Sequence, residues 1–207
     1  MDIQPKSFDH LLGKLKLSDK QLKAHFTLYA GYVKKLNEIL GARAKADRAA
    51  VNYSFGAYSE LLRRQPTAYN GTVLHEYYFG NLAPAAATKP NAQTKKLLEA
   101  SYGSMDAWLA DMKAAGLSAH GWALTVYDPI RARLDTSLVY SEHVAGLMAD
   151  TRIVVALDLW EHAYAIDYGI NKGEYLTAFF ENLNWDAVNA RVAEAVKVRP
   201  ASEIVAA

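Results

Sequence analysis

The sequence predicts an α+β protein, with an N-terminal helical hairpin region followed by a C-terminal α/β domain that holds a three-stranded antiparallel sheet. Three observations carry that expectation. Apolar residues recur at helical spacing in "LSDKQLKAHFTLYAGYVKKLNEIL". The stretch "APAAATKPNAQT", rich in proline and small residues, reads as a linker; it places a boundary near Pro90 and divides the chain into residues 1–88 and 89–207. Beyond it the period changes, and "GWALTVYD", "RARLDTSLVY" and "RIVVALDLW" are β-branched and aromatic-rich, as strands favour.

Taken in order, the first helix opens with Ser18 and Gln21 in capping-box spacing. Leu22, Phe26, Tyr29, Val33, Leu36 and Leu40 mark its inward face. A second helix is expected from about Arg48 to Arg64, stopping at Gln65-Pro66 because the residue before proline disfavours helix. A third begins near Thr67 and carries His75 to about Leu82. Two more run from Asn91 to Ala100 and from Ser104 to Ala115, the latter ending at Gly116. An Asp-Pro turn joins the first two strands, and "GEYLTAFFENLNW" and "DAVNARVAEAVKV" return to helix.

Composition narrows the function. An apolar fraction of 51% with a net charge of +1 describes a soluble globular protein and gives no electrostatic case for nucleic acid or a membrane surface. No apolar stretch approaches the roughly 20 residues that span a bilayer. The opening "MDIQPKSFDHLLGKLKLSDK" lacks the apolar core of a secretory signal, so a cytoplasmic protein is expected. The absence of cysteine excludes disulfides, iron–sulfur clusters and thiolate zinc sites. A bound metal must therefore be held by nitrogen and oxygen.

Among six histidines, His25 and His75 fall on helical faces that turn inward, the latter followed by Tyr77, Tyr78 and Phe79. An imidazole wedged among aromatics needs a partner or a metal. Asp158 ends an apolar strand, where a lone buried carboxylate is unfavourable unless a cation, a helix cap or a salt bridge meets it. His162 follows it by four residues.

"DLWEHAY" resembles the signature of the iron/manganese superoxide dismutase family, and three further stretches agree with it in order. "HEYYFGNL" is similar to the family's second ligand-bearing helix, "HFTLYAGYVKKLN" to its first, and "HGWALTVYD" to its first strand, with "FFENLNWDAVNARV" like the C-terminal helices. The resemblance covers about Leu17 to Val192. It implies one iron or manganese ion per subunit, held by His25, His75, Asp158 and His162, that converts superoxide to dioxygen and hydrogen peroxide. It implies an aromatic shell of Trp122 and Trp160, and His143 as the group that, with Asp158, holds a coordinated solvent molecule. Gly71, one helical turn before His75, has no side chain for that role. It also implies a homodimer or dimer of dimers in which Glu161 contacts His162 across the interface.

The chain departs from the family pattern in three places. The channel tyrosine usually lies eight residues after the first ligand histidine; here Tyr32 is seven after His25, and Tyr29 competes with it. A histidine of the family is replaced by Tyr29 and a tyrosine by Ala165, from which Tyr29 is expected to pack toward Ala165 of a second subunit. "GINKGEY" puts Lys172 where an arginine near the channel mouth is usual. Two other readings compete: an iron(II) oxygenase or hydrolase site of two histidines and a carboxylate, against which the third histidine argues, and a non-catalytic relative with a structural role. His10 and His120 receive no role.

Overall fold

Ser18 ends an extended entry segment and caps the first helix, α1 (Asp19–Lys45), by accepting a hydrogen bond from the Gln21 amide. The second half of the capping box is missing. Gln21 is buried and turns its side chain away: Nε2 donates to the His162 carbonyl at 2.5 Å, and Oε1 accepts from the Ile166 amide at 3.0 Å. Asp167 supplies the reciprocal bonds instead, accepting from the Ser18 amide at 2.6 Å and its hydroxyl at 2.5 Å. The start of α1 is thus tied to the segment around His162. The computed structural model describes residues 2–204.

Helix α2 spans Ala57–Gly80 without a break at Pro66, which corrects the two helices expected there. Proline removes the amide that would bond the Leu62 carbonyl. Leu62 and Pro66 are both exposed, so water takes that carbonyl and the helix continues. The expected start at Arg48 fails for a different reason. Asp47 Oδ1 accepts from the Ala49 amide and Asn52 Oδ1 from the Phe55 amide, turns that compete with helix.

After the helix-free linker come α3 (Ala92–Tyr102) and α4 (Met105–Ser118). Gly103, at φ 92°, provides the left-handed end of α3. Gly116 does not end α4: a Cβ there would lie 2.7 Å from Leu176, so it is glycine for close helix packing. Strands β1 (Trp122–Asp128), β2 (Arg133–Val139) and β3 (Arg152–Asp158) form an antiparallel sheet in the order β2-β1-β3. Every residue of the central strand is buried, and its register sets Trp122 opposite Asp158. A short 3-10 turn (Glu161–Ala163) and α5 (Ala165–Tyr168) lead to α6 (Lys172–Glu181), α7 (Trp185–Ala195) and α8 (Ala201–Ile204). One hydrophobic cluster runs through both halves, from Phe8 and Leu22 to Trp122, Phe179 and Val192. Among the described residues no helix is long and apolar enough to cross a membrane.

Replacing Gln21 by leucine strands a half-buried carbonyl and amide, at a cost of up to about 1–3 kcal/mol each. Urea unfolding of Gln21→Leu is expected to show a loss of roughly 2–4 kcal/mol; an unchanged midpoint would deny Gln21 its locking role.

Candidate metal centre

Four side chains remote in sequence meet between the helical hairpin and the end of β3. His25 comes from α1, His75 from α2, Asp158 from the last position of β3 and His162 from the turn after it. One donor atom from each lies within 4.8 Å of all the others. Asp158 Oδ2 faces the three Nε2 atoms, at 3.1 Å from His25, 3.2 Å from His162 and 3.6 Å from His75. Its other oxygen accepts from the Trp160 amide at 2.9 Å, so the carboxylate both caps the turn and faces the cluster. The Tyr175 hydroxyl donates to the Asp158 carbonyl at 2.7 Å and fixes the strand end.

The protonation pattern decides what fits between these atoms. The Gly71 carbonyl can only accept, and His75 Nδ1 lies 2.5 Å from it, so the ring proton sits on Nδ1. Burial drives the His75 pKa down to about 3, with the neighbouring His25 adding to the effect. Its Nε2 is therefore a bare lone pair, fully buried and without a hydrogen-bond partner, aimed at a carboxylate oxygen. Burial also lowers His25. For Asp158, burial pushes the carboxyl up, but hydrogen bonds from His162 and His25 outweigh it and hold the group well below the usual carboxylate range. Three imidazoles and one carboxylate form a nitrogen–oxygen shell, which matches a divalent or trivalent transition metal. A cation there converts the repulsion at His75 into a bond.

The family model described as "Iron/manganese superoxide dismutases, C-terminal domain" matches residues 90–191. Over 201 residues the chain is 39% identical to an iron superoxide dismutase of Aquifex aeolicus, covering 94% of this chain and 93% of that one. The chain belongs to the iron/manganese superoxide dismutase family. A superoxide dismutase of Cupriavidus metallidurans named for iron is 34% identical over 87% of this chain and 91% of its own. One of Haloferax volcanii named for manganese is 33% identical over 84% and 85%. Relatives of both metal names therefore share this chain's pattern.

The other residues singled out in the sequence divide. His143 is buried; its Nδ1 accepts from the Trp122 indole at 2.8 Å, which leaves the proton on Nε2, 2.8 Å from the Tyr32 hydroxyl. Burial lowers the His143 pKa, so the ring is neutral. Tyr32 rests on Gly71, where a Cβ would sit 2.5 Å from its ring. The Tyr32 ring is 5.3 Å from that of His75, so this tyrosine borders the centre.

Tyr29 does not border it in that way, nor does it reach outward. It is 1% exposed, packed edge-on to Phe8 and Phe79, and its hydroxyl donates to Glu76 at 2.9 Å and accepts from the Lys6 amide. Within its own subunit the ring is enclosed by the N-terminal arm, which leaves it little free surface for the expected contact with Ala165 of another subunit. Trp122 and Trp160 flank His143 at ring distances of 5.8 Å each. Lys172 donates to the Ala119 carbonyl at 2.8 Å, and exposed His120 stacks edge-on to Trp160 at 4.5 Å.

Two further features matter here. Gln21, expected from the sequence only as half of a capping box, precedes His25 by four positions on the same buried face, a polar pair at helical spacing. The turn that carries His143 gave no signal at all. Ser141, Glu142 and His143 have φ of 48°, 56° and 69°, three successive left-handed residues without a glycine. Each such residue costs on the order of 1 kcal/mol or more.

The metal-free protein should be acid-sensitive. His25, His75 and His143 are all lowered from 6.5, so the unfolded chain takes up their protons before the folded one does. The His75 contribution is full above pH 6.5 and falls as pH drops from there toward about 3, by up to roughly 1.4 kcal/mol per pH unit, and His25 and His143 add to the loss in the same direction. Denaturation of the apoprotein at about pH 7.5 and about pH 5 checks this, with lower stability expected at the acid value.

Proposed function

We propose that this chain is a superoxide dismutase in which His25, His75, Asp158 and His162 hold one iron or manganese ion. The observation that carries the reading is the buried, unpartnered Nε2 of His75 facing Asp158 Oδ2. The family relationship supplies the reaction class, two superoxide anions and two protons giving dioxygen and hydrogen peroxide. Nothing favours a non-catalytic role, since all four donors are present and converge.

When bound, the metal supplies alternating one-electron oxidation and reduction. The protein's share is the protons and the enclosure. Trp122, a donor only, keeps His143 in the tautomer with hydrogen on Nε2. That hydrogen goes to the Tyr32 oxygen and leaves the phenol's own hydrogen free to be given up. Burial, helped by the Asp158 charge, raises the Tyr32 pKa, so the phenol holds its proton through the neutral range. Tyr32 also lines a groove of about 580 Å³ between α1 and α2 and so connects the interior with solvent. Phe79 and Tyr78, with rings 4.8 and 5.0 Å from His25, close the opposite side to water.

The same proposal includes a homodimer or dimer of dimers with Glu161 of one subunit contacting the partner's ligand histidine. His162 is the one member of the cluster with an appreciably exposed side chain, and exposed Glu161, Ile166 and Ile170 lie beside it. It includes residence in the cytoplasm, and a division into residues 1–88 and 89–207, supported by the helix-free stretch 81–91.

Two substitutions test the reading. His143→Ala is expected to retain its metal while dismutation of enzymatically generated superoxide falls at least tenfold, on the order expected for loss of a proton-transfer group; wild-type turnover would remove His143 from the relay. Asp158→Ala is expected to be isolated without metal and to unfold more readily than the loaded wild type, and full metal content by elemental analysis would break the ligand set.

A further inference from the structure

Asparagine is a poor residue for a helix interior, yet Asn70 lies within α2, half-buried and remote from either end. Its amide nitrogen donates to the His143 carbonyl at 2.7 Å. The turn it reaches is closed at its base by the Tyr140–Ala145 bridge, with bonds of 3.0 and 3.2 Å. Within the turn the Val144 amide also meets the Tyr140 and Ser141 carbonyls at 3.2 and 3.4 Å, but none of these bonds reaches the backbone amide or carbonyl of His143. The ties of that tip to α2 are the Arg64–Glu142 ion pair, at 2.5 Å and exposed, and the bond from Asn70. The same helix offers the Gly71 carbonyl to His75, bears the Tyr32 ring against Gly71, and carries His75 itself.

We propose that Asn70 is a positioning residue of the proton relay: by holding the His143 backbone against α2, it keeps the imidazole in register between Trp122 and Tyr32. The proposal rests on His143 and Tyr32 serving as the relay. Its logic is geometric. One helix sets both the place of a ligand, His75, and the place of the group beside it. A left-handed turn free to relax would swing the ring off the indole and the phenol together, because Nδ1 and Nε2 are both committed.

The test uses Asn70→Asp, which keeps the shape but replaces the donor by a second acceptor facing a carbonyl, with Asn70→Ala serving where that variant fails to fold. Metal content and the circular dichroism spectrum are expected to match wild type. Turnover is expected to fall about tenfold, as for other groups that orient an active residue. The indole N–H resonance of Trp122, assigned in nitrogen-15-labelled protein by its loss in Trp122→Phe, is expected to move as its bond to His143 weakens. This readout requires no activity and works on the metal-free protein. An unmoved resonance overturns the proposal, and so does a moved resonance with wild-type turnover, since the hold would then be structural only. Failure of the underlying reading looks different: His143→Ala would then turn over like wild type.

Discussion

A carboxylate with no solvent exposure, Asp158, is the constraint around which the molecule is arranged. An ionised group in that position is tolerable only when charge and hydrogen bonds answer it from every side. The protein answers with one backbone amide on Oδ1 and two ring hydrogens on Oδ2, and it leaves the third ring, His75, presenting a lone pair. That arrangement is unfavourable for an empty fold and favourable for a loaded one. The stability of the centre and its capacity for a cation are therefore the same property. The surroundings hold this arrangement in place, with the strand end fixed by Tyr175 and the turn after it by Gln21.

Much of the fold was legible because local chemistry and tertiary packing agree. Ser18 caps α1, α3 ends within two residues of the expected Ala100, and the β-branched runs become strands within a residue or two of their expected limits. Where they disagree, packing prevails. Pro66 would end a helix judged locally, but it lies on an exposed face where water satisfies the freed carbonyl. Gly116 resembles a helix terminus and is instead a seat for Leu176. The four converging donors were legible through burial and resemblance together. The left-handed turn at 141–143 was not, because no glycine or asparagine marks it and its support comes from α2, more than seventy residues upstream.

The N-terminal arm, through Phe8 and Lys6, encloses Tyr29 within its own subunit together with Glu76. The arm is tied to α1 through Ile3 and Asn37. Glu76 directly follows the ligand His75, so this clamp stiffens α2 at the level of the centre.

Gly71, Tyr32 and His143 form a set that cannot be altered singly. Any side chain at position 71 would overlap the Tyr32 ring, whose place is fixed by its bond to His143. A hydrogen-bonding group arriving from α2 at this point is thus excluded by volume, and the group that meets Tyr32 comes from the loop between β2 and β3. That placement requires a turn able to reach inward, hence the left-handed tip and its ties to α2. Relatives named for iron and for manganese are similar to this chain to comparable degrees, so a set of three imidazoles and a carboxylate is consistent with either ion. Discrimination must then come from the hydrogen bonds that surround the donors. The bonds made directly to the donors are those of the Gly71 carbonyl to His75 and the Trp160 amide to Asp158, and the His143–Trp122–Tyr32 network stands next to them, its ring 6.2 Å from that of His75.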